Sequence, residues 1–132
     1  METLNLIKHR LRLNNFMSEE ILNLEKICGS NIYSRDDGRV LYNRINESLK
    51  VADRVIVMFN EKEIASESFL DEAIVEHYMS QQSPNVTNRI ILRGVTKPDQ
   101  MLLGRIFEYR RRLEAKEAKK KNRKNSPNET TR

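Results

Sequence analysis

Tryptophan is absent from this chain, and cysteine occurs once, as Cys28. A single thiol excludes an internal disulfide and fits a reducing compartment. Histidine occurs twice, as His9 and His77. Neither lies near Cys28 in sequence to activate it, and Cys28 has no Cys-x-x-Cys partner. The four glycines form no phosphate-cradling loop with a lysine. No apolar run is long enough to span a bilayer, and the first residues lack the apolar core and cleavage site of a signal peptide. These absences predict a cytoplasmic, non-enzymatic protein that needs no cofactor, with no catalytic residues, metal site or membrane contact. Asp36/Asp37 and Asp71/Glu72 are adjacent carboxylates at helix starts, where dipole and capping account for them without acid–base work. His77 reads as a structural histidine on a helix.

What is present is charge, unevenly spread. An apolar fraction of 38% and a mean hydropathy of −0.70 allow a modest core in one domain with an appendage. The net charge of +5 hides an asymmetry: residues 105–132 hold 11 of the 24 basic groups and 4 of the 19 acidic ones, hence +7, leaving −2 on residues 1–104. Attraction to polyanions therefore resides in the tail.

The chain is organised around residues 52–78. Arg54 to Phe59 is a short apolar, largely β-branched or aromatic run that suits a buried strand. A polar turn, Asn60 to Ser66, leads to a helix whose stripe is Leu70, Ile74 and Tyr78. Upstream, Met1 to Asn15 fits either a helix or a strand, and Ile21 to Ile27 is expected to be a strand ending in Cys28-Gly29-Ser30. Ser34, followed by Asp36 and Asp37, starts a helix striped by Val40, Leu41, Ile45 and Leu49. Gly38 in its first turn lowers helix propensity, which points to a close packing contact. Downstream, Ser80 to Asn88 is a polar loop and Arg89 to Arg93 a strand. Thr96 to Asp99 starts a last helix with Met101, Leu102, Ile106, Tyr109 and Leu113 as its stripe. The alternation predicts an α/β fold: a small, mostly parallel sheet with covering helices, plus a basic C-terminal helix extension. The expected parts are an N-terminal element at 1–20, a domain at 21–113, and a basic, largely disordered tail at 114–132.

Two segments carry a resemblance. Gly29-Ser30-Asn31-Ile32-Tyr33-Ser34-Arg35-Asp36-Asp37-Gly38-Arg39 and Ser66-Glu67-Ser68-Phe69-Leu70-Asp71-Glu72-Ala73-Ile74 resemble the signatures of the STAS-like domain of unknown function, a bacterial and phage family distantly related to anti-sigma-factor antagonists. The resemblance implies a regulatory module that binds a partner protein, an ATP-binding one of the histidine-kinase-like type. It places the working surface at Ser66, Ser68, Asp71 and Glu72 with Ser34, Arg35, Asp36, Asp37 and Gly38. Anti-sigma-factor antagonists carry a phosphorylatable serine at the equivalent helix start, which implies phosphate on Ser66 or Ser68. Here Ala65 replaces the aspartate and Ser68 the glycine of that turn. Without phosphate both serines read as helix caps, Ser68 with Asp71 in a capping box. Arg35 either pairs with Asp71 or Glu72 or meets a partner's anion.

The tail supports an alternative, a nucleic-acid-associated accessory protein. Arg110, Arg111, Arg112, Lys119, Lys120, Lys121, Arg123 and Lys124 can bind phosphates without sequence preference. Tyr109 is the one aromatic available for stacking, and a purely solubilising role is equally consistent.

Overall fold

The computed structural model describes residues 18–80 and 86–124. The elements are β1 (Glu19–Asn23), α1 (Leu24–Cys28), α2 (Arg35–Val51), β2 (Arg54–Met58), α3, α4 (Val86–Arg89), β3 (Ile90–Arg93) and α5 (Lys97–Lys124). Helix α3 runs through Glu67–Leu70, a π-helical stretch Asp71–Val75, and Glu76–Ser80. The architecture is the expected mixed α/β one, a three-stranded parallel sheet in the order β1-β2-β3 with a long C-terminal helix.

Register explains the layering. Leu22, Val57 and Leu92 lie in one row across the strands, and Glu20, Val55 and Ile90 in the next row on that face. Leu22, Val55, Val57 and Ile90 join Leu41, Ile45, Phe69 and Ile74 of the helices in one apolar core. Right-handed crossovers that step the same way across a sheet put their helices on the same face. That is why α2 and α3 become neighbours. The opposite face carries Ile21, Ile56 and Ile91; Ile56 in the central strand is buried, whereas Ile21 on the edge is 64% exposed.

The strand expected at Ile21 to Ile27 is a correction. β1 ends at Asn23, whose side chain accepts from the Lys26 amide and caps a short helix, and Gly29 at φ 56° closes it. Leu24, Ile27 and Cys28 hold i, i+3, i+4 spacing, so one helical turn seats all three against the core. The expected basic C-terminal helix extension is present: α5 continues past Leu113 to Lys124, exposed from Arg111 to Asn122. Residues 1–17 and 125–132 and most of the polar loop after Ser80 lie outside the described residues.

Two links that sequence reasoning missed hold the frame. Arg89, taken for a strand residue, donates to the carbonyls of Leu49, Ala52 (2.9 Å) and Asp53 (3.0 Å), placing a cation at the C-terminal end of α2. Asp99, fully buried in the first turn of α5, accepts from the amides of Ile64 (2.6 Å) and Ala65 (2.9 Å). It pins the loop between β2 and α3, where Asn60, Glu61 and Ala65 all have positive φ.

Ala65 at φ 52° is the strained member next to the site. Left-handed backbone costs an L-residue about 1–2 kcal/mol, while glycine adds about 0.5–1 kcal/mol of unfolded-state entropy. The first effect is the larger, so Ala65→Gly is expected to stabilise the fold by roughly 0.5–1 kcal/mol. A urea midpoint that rises with unchanged m-value is the check.

Candidate functional site

Each segment singled out in the sequence begins a helix, and the two helix starts meet. Ser34 caps α2: its Oγ accepts from the Asp37 amide at 3.0 Å, and the Asp37 carboxylate accepts from the Ser34 amide at 3.2 Å. This reciprocal capping box satisfies the backbone amides of both Ser34 and Asp37. The amides of Ser34 and then Tyr33 favour the charged carboxylate and hold Asp37 below its ordinary range. Ser66 caps α3 in the same way, accepting from the Phe69 amide, and its hydroxyl donates to the Tyr33 carbonyl. One hydroxyl thus ends the loop and ties it to the other helix start.

The cap at α3 differs from the expected Ser68–Asp71 box. Ser68 lies within the first turn of the helix, two residues past the cap, and is exposed, and Asp71 turns to α2 and α5. Its two oxygens are held by Arg35 at 2.9 Å and Arg110 at 2.7 Å. Glu72 accepts from Arg35 and Arg39, and Arg110 also reaches Glu76 at 2.7 Å. A π turn has more residues per turn than an α turn, so sequence neighbours lie closer in azimuth. Asp71 and Glu72 can then both face the same guanidinium. The bond to Asp71 raises the Arg35 pKa further above its already high value.

Gly38 explains how closely the helices meet. A Cβ there would lie 2.8 Å from the Phe69 carbonyl oxygen and 3.0 Å from Glu72 Cβ. The packing contact expected from an unfavourable helix residue is thus present, and its partner is the backbone of α3.

Beneath the ion pairs lies His77, fully buried and stacked on Tyr42 at 4.0 Å between ring centroids. Its Nε2 lies 3.2 Å from the Tyr42 carbonyl, which can only accept, so Nε2 carries the proton. Nδ1 is buried without a hydrogen-bond partner. Burial pushes the imidazole pKa down to about 4. Arg39 lies over the other ring of the stack, 4.2 Å from the Tyr42 centroid. Cys28 is buried too, and desolvation raises its thiol to about 11, which leaves it protonated and unreactive near neutrality.

The candidate residues therefore divide. Gly38, Asp71 and Glu72 are interior, occupied by packing and arginine pairs. Ser34, Asp36 and Ser68 are exposed, Ser66 and Asp37 are partly covered by their caps, and the Arg35 side chain is 53% exposed while bonded inward. Beside them Tyr33 and Val40, which the sequence reading did not select, are 65% and 54% exposed. Of the basic candidates, Arg110 is committed to Asp71 and Glu76. Arg111, Arg112, Lys119, Lys120 and Lys121 are exposed on α5, and the side chains of Arg123 and Lys124 lie outside the described ones.

A small parallel α/β domain, with its two helix starts locked together beside the sheet, is the class this geometry defines. Residues 37–100 match the family model of the STAS-like domain of unknown function, and over this segment the chain is similar to that family. The match begins inside the first signature, at Asp37, and covers all of the second. A search of the curated proteins and of the solved structures gives no match. Among the described residues, no helix is long and apolar enough to cross a membrane.

Two outcomes follow. Gly38→Ala recovers about 1 kcal/mol of helix propensity, but it forces a methyl against backbone, which typically costs about 1–3 kcal/mol. A net loss of up to roughly 2 kcal/mol is expected in thermal unfolding. For His77, the folded pKa near 4 lies below the ordinary 6.5, so the unfolded chain binds the proton more tightly. This contribution is complete above pH 6.5, declines as pH falls toward 4, and amounts to at most about 3 kcal/mol. His77→Gln should be less stable at pH 7 and show a flatter urea midpoint between pH 4 and 6.5; an unchanged slope would refute the assignment.

Proposed function

We propose that this chain is a non-enzymatic regulatory module that binds a partner protein through the joined helix starts of α2 and α3. The observation that carries the reading is the division of labour there. The buried carboxylates are consumed by internal arginines and make a stiff base, while Tyr33, Asp36, Val40, Glu67 and Ser68 stand on it exposed. A rigid patch with an exposed tyrosine and a neighbouring aliphatic suits recognition, because little side-chain entropy is lost on binding. The resemblance to STAS and anti-sigma-factor-antagonist domains supports a partner of the ATP-binding, histidine-kinase-like type, whose surface the module occludes.

Between the two serines, the geometry favours Ser68 as the regulatory position. Phosphate on Ser66 would remove the hydroxyl proton donated to Tyr33 and disturb the α3 cap. Phosphate on Ser68 would break no bond among the described contacts and would add nearly two negative charges beside Glu67. Its readout is repulsion of an acidic or apolar partner surface, with the domain fold intact.

Affinity capture from the native host followed by calorimetric titration of the purified partner tests this. Tyr33→Ala and Ser68→Asp are each expected to weaken binding at least tenfold, with unchanged thermal unfolding. Lys116→Gln/Lys119→Gln on α5 should leave it within twofold. A partner that binds all of these forms equally would rule out the helix-start face as the docking surface.

A further inference from the structure

Helix α5 is longer than the domain requires. Its first part is anchored by Leu103, Ile106 and Arg110, yet every residue from Arg111 to Asn122 is exposed. At about 1.5 Å per residue, this stretch projects roughly 18 Å with no packing among the described residues. Its sequence, rich in Ala, Glu, Lys and Arg, suits a helix that stands on propensity alone.

Four of the exposed cations share one face of the cylinder, while Arg111 and Lys121 point away from it. Arg105, Arg112, Lys116 and Lys119 follow i, i+7, i+11, i+14 spacing. With about 100° per residue they fall within an arc of roughly 60°, and Tyr109 and Lys120 border it. The anchoring Leu103 and Ile106 lie on the far side, and Glu114 and Glu117 fall on that side too. Glu108 borders the stripe and is bonded to Arg112 at 3.0 Å. Arg110, part of the same basic run in sequence, lies on the far side and turns inward to Asp71 and Glu76.

We infer that the outward face of α5 is a docking surface for the phosphate backbone of duplex nucleic acid. Charge complementarity carries the choice. Four cations along about 21 Å face a polymer that carries a phosphate about every 3.4 Å of each strand. A single strand would require stacking platforms, and the stripe has one exposed aromatic, Tyr109. An anionic membrane would require a bulky apolar face, but beyond Leu113 the exposed helix offers only Ala115 and Ala118 as apolar residues. Recognition is therefore of charge and spacing, independent of base sequence. This surface is separate from the helix-start face, so either proposal can fail without the other.

The test is fluorescence anisotropy of the full chain with a labelled 20-base-pair DNA duplex of arbitrary sequence. Four phosphate contacts predict a log–log salt slope near −4, a loss on the order of 100-fold between 50 and 200 mM salt. Lys116→Gln/Lys119→Gln should lower affinity at least tenfold and reduce the slope by about 2. Arg111→Gln/Lys121→Gln removes the same charge from off the stripe and should change affinity less than threefold; far-ultraviolet circular dichroism confirms that both variants keep α5. Equal losses in the two variants, tighter binding to the matching single strand, binding only to phosphatidylserine vesicles, or no duplex binding at 50 mM salt would each overturn the proposal.

Discussion

Two adjacent carboxylates, Asp71 and Glu72, are taken out of water at the centre of this fold, and that exclusion organises what surrounds it. A buried carboxylate without a partner is strongly destabilising, so each must meet a cation. Arg35 and Arg39 come from α2 and Arg110 from α5, which joins three helices through two side chains of the third. The close approach needs Gly38, since any Cβ there would strike the α3 backbone. Charge pairing and the missing side chain are two halves of one constraint.

That constraint shapes the surface above it. Asp71 and Glu72 are paired internally and Asp37 closes a cap, so the joined helix starts are held without drawing on the outer side chains. Tyr33, Asp36 and Ser68 remain outside on a backbone fixed by Ser34, Asp37 and Ser66. The strained loop before α3 is held from below by Asp99, so the position of the surface depends on the first turn of α5. The same helix then leaves the domain and carries its cations outward, which separates a near-neutral body from a basic arm.

Legibility in the sequence follows the range of the interaction. The central strand, the third strand and the helix starting after Ser34 could be read because their causes are local: β-branched runs, a serine followed by carboxylates, and a stripe at helical spacing. The break at Asn23 was equally local, a capping side chain before an i, i+3, i+4 turn, but a continuous apolar run fits strand and helix alike. The extent of α5 is not legible from apolar periodicity, because its stripe stops while its helix-forming composition continues. Alanine, glutamate, lysine and arginine form helix without a core to pack against.

Sequence by itself determined the parallel α/β alternation, the family resemblance and the concentration of positive charge in the last quarter of the chain. Those properties belong to neighbouring residues and to composition. Only the tertiary structure decided which charges are free. Arg110 and Arg112 stand two residues apart in one basic run, yet helical geometry turns the first into an interior pair with Asp71 and leaves the second in solvent. The same holds for Ser66 and Ser68, one locked to the Tyr33 carbonyl and the other open. A side chain's chemical availability depends on partners more than thirty residues away, and no local pattern encodes that distance.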